Sequence, residues 1–260
     1  MDTATRTKGR MTKARMANTM PLDSPIYPEP PYYYRNVERL VFMYETDQEA
    51  AFDILPDCLE LELPATVSVV FLDIPTCTLG AYHEAFVGLR ASFEGTPVEY
   101  VVWNLLTSDA AVTVGREIWG VPKKLAHVAI EKHPEGMVGI VERPAGIRIC
   151  TAMVRPERVM SREEAEPFAR PLVCVRIIPD PAGGDPLIEL IDHFNPATNN
   201  FEVGDDWWKN QIRGTGSLTF DAQSAIDPWH KLPVVRMVDA FYSGGSSSFD
   251  LPYGKVLMTY

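Results

Sequence analysis

Cysteine is scarce in this chain. Its 260 residues hold four, Cys58, Cys77, Cys150 and Cys174, far apart and with no C-x-x-C pair. A disulfide framework is therefore not implied, and we read them as reduced, mostly buried thiols of a cytoplasmic protein. Histidine is scarce too, with five residues and none at metal-ligand spacing. His83-Glu84 opens like H-E-x-x-H, but Val87 stands where the second histidine would be, so the zinc reading fails. There is no G-x-x-x-x-G-K-[ST] loop and no G-x-S-x-G elbow, which removes the usual sequence support for nucleotide binding and serine-hydrolase chemistry. No uncharged apolar run approaches the roughly 18 residues of a membrane span. Positive charge is also short, with 24 basic against 35 acidic residues and a net charge of −11. Such a field repels phosphate and argues against nucleic acid or anionic lipid as a partner.

What is present is ordinary globular material. Hydrophobic residues make up 46% of the chain and charged residues 23%, which excludes wholesale disorder. Residues 1–20 differ, with five basic residues, one acid and no apolar stretch, so they read as a disordered basic tail rather than a secretory signal. Residues 21–260 show no repeat and no clean linker, so a single domain is expected there.

The segment from Pro21 to Tyr34 is crowded with Pro and Tyr and predicts extended, irregular chain. Val37–Tyr44 reads as a strand. Thr46 and Glu49 have capping-box spacing and predict a short helix over Ala50–Leu55, stopped by Pro56. Further strands are predicted at Thr66–Ile74, Glu99–Leu105, Ala111–Val114, Val138–Glu142, Ile147–Val154, Leu172–Ile178, Leu187–Asp192, Gly216–Phe220, Val234–Tyr242 and Lys255–Tyr260. Ser161 and Glu164 predict a second short helix over Ser161–Ala169. Ser243–Ser248 reads as a mobile loop. Asp205-Asp206-Trp207-Trp208 looks like a turn into a packed aromatic pair. The expected fold class is α+β, mainly β, with one sheet closed into a barrel-like domain and a few short helices.

One stretch points to chemistry. Residues 115–125 read Gly-Arg-Glu-Ile-Trp-Gly-Val-Pro-Lys-Lys-Leu. An exposed lysine, with a pKa of about 10.4, is protonated at neutral pH and is a poor nucleophile. Burial in apolar surroundings or a neighbouring cation penalises the ammonium and frees the amine. Lys123 and Lys124 are adjacent, and Ile118, Trp119, Val121, Pro122 and Leu125 surround them with apolar groups. Pro122 stiffens the approach, and Gly120 permits a tight or left-handed turn. In an extended segment the two lysines point to opposite sides, so desolvation outweighs ammonium–ammonium contact. Taken alone, a Lys-Lys pair is usually a solvated surface turn.

The whole segment, however, resembles the signature of the acetoacetate decarboxylase family, G-R-E-x-x-x-x-P-K-K-L. The resemblance runs outward through Ser24-Pro25, Tyr27-Pro28, Tyr44, Thr46-Asp47, Leu59-Glu60, Gly80, Tyr82 and Glu84, and more loosely to Arg170-Pro171 and Leu251-Pro252. It implies that Lys123 forms a Schiff base with a keto acid, that Lys124 helps perturb it, and that Glu84 moves protons or orients the imine. Arg116 and Glu117 belong to the signature and either bind substrate or form an ion pair that holds the lysine segment. Two positions depart from the family's decarboxylases, whose active-site arginine and glutamate fall at Val37 and Val69. Arg35 or Arg39, two residues to either side on a strand, would restore a guanidinium beside Val37.

The superfamily also contains aldolase-dehydratases that condense pyruvate with aldehydes. Such a reaction needs a general acid, and Tyr253, after Leu251-Pro252, is the candidate. The resemblance thus implies a cofactor-free lyase with no metal, a keto-acid substrate and in some members an aldehyde co-substrate, assembled as a homo-oligomer. We favour condensation with dehydration. Decarboxylation of acetoacetate or another β-keto acid is the first alternative, and a non-catalytic small-molecule-binding protein of the same fold the second.

Overall fold

The computed structural model describes residues 7–16, 20, 24–196 and 207–260. Most of the expected domain lies within them. Parts of the expected tail, and Asp205 and Asp206 of the aspartate–tryptophan run, lie outside the described residues.

The strands are β1 (Tyr32–Glu45), β2 (Glu60–Leu61), β3 (Thr66–Ile74), β4 (Thr76–Cys77) and β5 (Tyr82–Phe93). Next come β6 (Thr96–Leu106), β7 (Lys123–Leu125), β8 (His127–His133), β9 (Gly136–Glu142) and β10 (Arg148–Val159). The last are β11 (Leu172–Ile178), β12 (Leu187–Phe194), β13 (Gln211–Phe220), β14 (Arg236–Leu251) and β15 (Lys255–Thr259). The short α-helices are α1 (Gln48–Phe52), α2 (Asp109–Val114) and α3 (Arg162–Ala165).

All these strands join one sheet in the order β15-β12-β11-β6-β5-β3-β1-β14-β13-β10-β9-β8, with β2, β4 and β7 attached to β5, β1 and β6. The expected closed barrel is not formed, because the terminal strands β15 and β8 do not pair with each other. Instead the sheet curls so that β9 lies against the face of β3. A Cβ at Gly139 would sit 2.7 Å from the Phe71 ring. Face-to-face stacking takes the place of edge-to-edge closure.

Stacking buries the central strands on both faces. Leu40, Phe42, Tyr44, Val67, Val69, Phe71, Ala85, Val87 and Leu89 point into one core, which β9 and β10 cover with Val141, Ala152 and Val154. Their strand neighbours Val41, Met43, Val70, Ile74, Tyr82 and Phe86 point into a second core. Period-two alternation divides each strand between the two. Burying a large apolar side chain contributes about 1.5–3 kcal/mol, and both faces of the central strands collect it.

Local sequence explains most boundaries. Asp47 caps α1, accepting from Ala50 N at 2.9 Å, so the cap is one residue later than the predicted Thr46. Ser161 and Glu164 form the predicted capping box of α3, and a 3-10 turn continues it over Glu166–Phe168. The predicted strand at Ala111–Val114 is helix α2 instead. Ser108 accepts from Ala111 N at 3.3 Å, and this cap outweighs the β-branched residues that follow. Ser243–Ser248, expected as a mobile loop, continues strand β14. Strand β5 was not anticipated, nor were β7 and β8.

Candidate active site

The signature glycine comes first. A Cβ at Gly115 would overlap the Lys123 side chain, so glycine there is what lets the lysine stem cross this turn. Gly115–Trp119 forms a π-helical turn that ends at Gly120, whose φ of 72° is left-handed, as its residue type allows. Chain reversal then delivers β7, which runs parallel to β6 with Lys123 opposite Asn104.

Lys123 and Glu84 are each 7% exposed. Lys123 Nζ donates to Glu84 Oε2 at 3.2 Å, and Asn104 Nδ2 donates to Glu84 Oε1 at 2.6 Å. Both carboxylate oxygens are thereby fixed, one by the amine and one by an amide. The pair lies in a cavity of about 490 Å³. Tyr82, two residues before Glu84 on β5, lines the same cavity, and its hydroxyl lies 3.2 Å from that of Tyr34. Burial pushes both phenols well above the ordinary tyrosine range, so both keep their protons. His193 also lines the cavity, with Nδ1 3.5 Å from Cys174 Sγ. Burial, helped by the nearby Lys123 charge, pushes its pKa down to about 3, leaving a neutral imidazole.

Lys124 goes the other way. The alternation of β7 turns it outward, where Nζ lies 2.9 Å from Asp227 Oδ1 and also donates to Ile226 O. Asp227 is 2% exposed and takes Arg143 Nε on its other oxygen at 2.9 Å. Lys124 thus anchors the strand, and it does not line the Lys123 cavity. Arg116 donates to Lys123 O at 3.2 Å and holds the same strand from behind. Glu117 accepts from the Tyr27 hydroxyl. Neither lines the cavity, and the Arg116–Glu117 ion pair is replaced by these two separate bonds.

Arg35 lies outside the cavity as well. It pairs with Asp250 at 3.0 Å and donates to Tyr34 O at 2.8 Å. A β-bulge between Tyr34 and Val37, with Asn36 at φ 58°, explains this. Facing shifts by one residue there, so the rule that residues two apart share a face breaks between Arg35 and Val37. Beyond the bulge it holds, and Arg39 lines the cavity. Arg39, Leu72 and Glu84 form one row across β1, β3 and β5, which puts the Arg39 and Glu84 backbones roughly 10 Å apart. Val69 points into the opposite core, away from Lys123.

Tyr253 is 54% exposed and lines a second cavity of about 540 Å³ together with Glu117 and Tyr27. Trp119 stands between the two. It lines the Lys123 cavity, and its Cδ1 would meet a Cβ at Gly254 of the second cavity at 2.9 Å. Among the described residues, no three His, Cys, Asp or Glu side chains converge to hold a metal ion, and no helix is long and apolar enough to cross a membrane.

Sequence reasoning missed Tyr34, Asn104 and His193. Tyr82 carried a usable signal, its position two residues before Glu84. His193 carried none, since only the β11–β12 pairing brings it to the cavity.

The family model for acetoacetate decarboxylase matches residues 19–260. An acetoacetate decarboxylase of Burkholderia mallei is 30% identical over 86% of this chain and 88% of its own length. One from Clostridium acetobutylicum is 28% identical over 92% of this chain and 94% of its own. A solved acetoacetate decarboxylase superposes with a TM-score of 0.83 at 26% identity, covering 96% of this chain and 99% of that one. The enduracididine biosynthesis enzyme MppR, complexed with the condensation product of pyruvate and imidazole 4-carboxaldehyde, shares the fold at a TM-score of 0.75 and 18% identity, with 96% of this chain and 98% of that one covered. On the extent of these matches, the chain belongs to the acetoacetate decarboxylase family.

Proposed function

We propose that this enzyme is a cofactor-free lyase that forms an imine between Lys123 and a keto acid. The observation that carries the reading is the buried Lys123–Glu84 pair, at 3.2 Å, inside a cavity of about 490 Å³. Glu84 accepts the proton that the amine must lose. Lys123 Nζ then attacks the ketone carbon, and water leaves as the iminium forms. The iminium draws electrons from the adjacent bond, which is the step that either branch of the chemistry uses.

For condensation, the iminium of pyruvate loses a methyl proton to Glu84 and becomes an enamine. The enamine carbon attacks an aldehyde carbonyl, and the new alkoxide takes a proton. Loss of that hydroxyl as water leaves a conjugated imine, and hydrolysis returns Lys123 and an enone acid. The Tyr82–Tyr34 pair, in place of Tyr253, which faces the other cavity, donates a hydrogen bond to that alkoxide oxygen in this reading, and Glu84 returns the proton it took. Arg39 is suited to the substrate carboxylate, two strands from Glu84. The cavity has the size of sites that take drug-sized ligands, more than pyruvate alone fills, so it has room for an aldehyde beside pyruvate or for a longer keto acid. The fold is also known to hold a pyruvate–aldehyde product, in MppR.

Decarboxylation is the second reading, and the relatives at about 30% identity favour it. There the iminium of a β-keto acid loses CO₂, the enamine is protonated, and hydrolysis releases a ketone. A cytoplasmic homo-oligomer belongs to both readings. The deciding experiment incubates the enzyme with pyruvate plus an aromatic aldehyde, and separately with acetoacetate. Enone absorbance from the first with little CO₂ from the second is expected. Rapid CO₂ release without enone would reverse the order of the two readings.

A further inference from the structure

The cavity has a second polar end that the imine chemistry does not use. On β5 the inward positions run Tyr82, Glu84, Phe86, Gly88 and Arg90. Gly88 lies four residues beyond Glu84, roughly 13 Å along the strand. Glu99 on β6 folds over it, and a Cβ at Gly88 would overlap that carboxylate. Ser68 donates to Glu99 Oε1 from the neighbouring strand. Arg90 stands opposite Glu99 in the β5–β6 register. Between the two ends the lining is apolar, with Val41, Met43, Val70, Leu72 and Phe86.

The groups at this end are incompletely satisfied. Arg90 spends one nitrogen on Met43 Sδ at 3.3 Å and on Pro167 O at 3.4 Å, both poor acceptor contacts. Its buried Nε has no acceptor. Glu99 has an oxygen beyond the one that Ser68 occupies, and burial pushes its carboxyl up. Arg170, also on the lining, is already paired with Glu62 at 2.7 Å. An anion placed here would meet Glu99, and a cation would meet Arg90. A group that both donates and accepts satisfies each of them.

We propose that this end of the cavity binds a neutral hydroxyl group carried on an apolar body of the substrate, with Arg90 donating to it and Glu99 accepting from it. The inference rests on the imine reading for the other end of the same molecule, where the carbonyl meets Lys123. It makes the substrate class an extended, apolar carbonyl compound ending in a hydroxyl. Both residues act in binding and specificity rather than at the reacting carbon.

The test is a series of 2-oxo acids of increasing chain length, each ending in a methyl, a hydroxyl or a carboxylate. Binding to the wild-type protein is followed by tryptophan fluorescence, for which Trp119 on the cavity wall is a reporter. At one chain length the hydroxyl acid is expected to bind about 10–100-fold tighter than its methyl analogue, because the methyl gives neither Arg90 nor Glu99 the partner that the hydroxyl supplies. The carboxylate should bind more weakly than the hydroxyl. Arg90→Met and Glu99→Leu should each bring the hydroxyl-to-methyl ratio close to one. A methyl or carboxylate acid that binds as tightly at every length overturns the proposal on the wild-type protein alone, whether or not the variants fold. A ratio that survives both substitutions overturns it too. Borohydride trapping of pyruvate on wild-type Lys123 is scored separately, and 2-hydroxy acids of the same lengths, which cannot form an imine, read the far end by itself. Failure of the imine therefore stays distinguishable from failure of the hydroxyl site.

Discussion

Lys123 and Lys124 share one short strand, yet Lys123 reaches a buried carboxylate inside the cavity at 3.2 Å while Lys124 reaches Asp227 on the outer side at 2.9 Å. The side chain of the first is 9% exposed and that of the second 36%. Strand alternation alone assigns the sides. The environments then diverge. On the inner side, the lysine stem crosses Gly115 and the amine ends among a carboxylate, an amide and apolar side chains. On the outer side, the Lys124 amine is partly exposed and shares the buried Asp227 carboxylate with Arg143, which makes the pair a strand anchor. Adjacency in sequence therefore does not bring two ammonium groups together. What sets Lys123 apart is exclusion of water, with Lys124, Arg116 and Arg143 holding the strand that presents it.

Each side of that comparison can be broken separately. Lys123→Ala should lower turnover by at least about 10⁴-fold, because among the described residues no other lysine lines the cavity. Steady-state kinetics on the preferred substrate measures it. Glu84→Gln keeps the shape and removes the proton acceptor, so turnover should fall about 10²–10⁴-fold with KM changed far less. Gly115→Ala crowds the Lys123 stem from behind. Imine formation should slow about tenfold or more, read by rapid-quench trapping, since a misplacement of about 1 Å near reacting atoms can cost 10²-fold. Lys124→Ala should change turnover least. Arg143 still holds Asp227, so the loss in stability, from denaturant melts, should stay within about 1.5–3 kcal/mol.

A pH measurement sharpens the account of the inner side. The His193 pKa falls from 6.5 when unfolded to about 3 in the fold, chiefly through burial. The unfolded chain therefore binds one more proton between those values. The His193 contribution is intact above pH 6.5 and shrinks as pH falls, by about 1.4 kcal/mol per pH unit until roughly pH 3. His193→Gln should flatten the stability profile between pH 6 and 4. An unchanged slope would place that imidazole in water.

The legible parts of the molecule were those where one residue type reports one environment. Thr66–Ile74 and Leu172–Ile178 are apolar, β-branched runs, and both are strands with those bounds. The lysine segment was legible through its family signature, and Glu84 through register with it. Strand β5 was not, because the inward face that lines the cavity carries Glu84, Gly88 and Arg90, which read as loop. A strand that builds a polar site hides its own periodicity. Arg35 failed because a bulge at Asn36 shifts the facing of β1 by one residue, and nothing in the spacing of charged residues announces a bulge. Tyr253 lines the second cavity, and Trp119 stands between that cavity and Lys123, a separation that position in the chain does not announce. The open sheet went unseen because strand count does not say whether the last edge meets the first.

The most direct test of the central claim is borohydride reduction in the presence of pyruvate, read by peptide mass on three proteins. Wild type and Lys124→Ala should each carry the reduced pyruvate adduct on Lys123, and Lys123→Ala should carry none. An absent adduct in wild type, or one that persists when Lys123 is gone, contradicts the account.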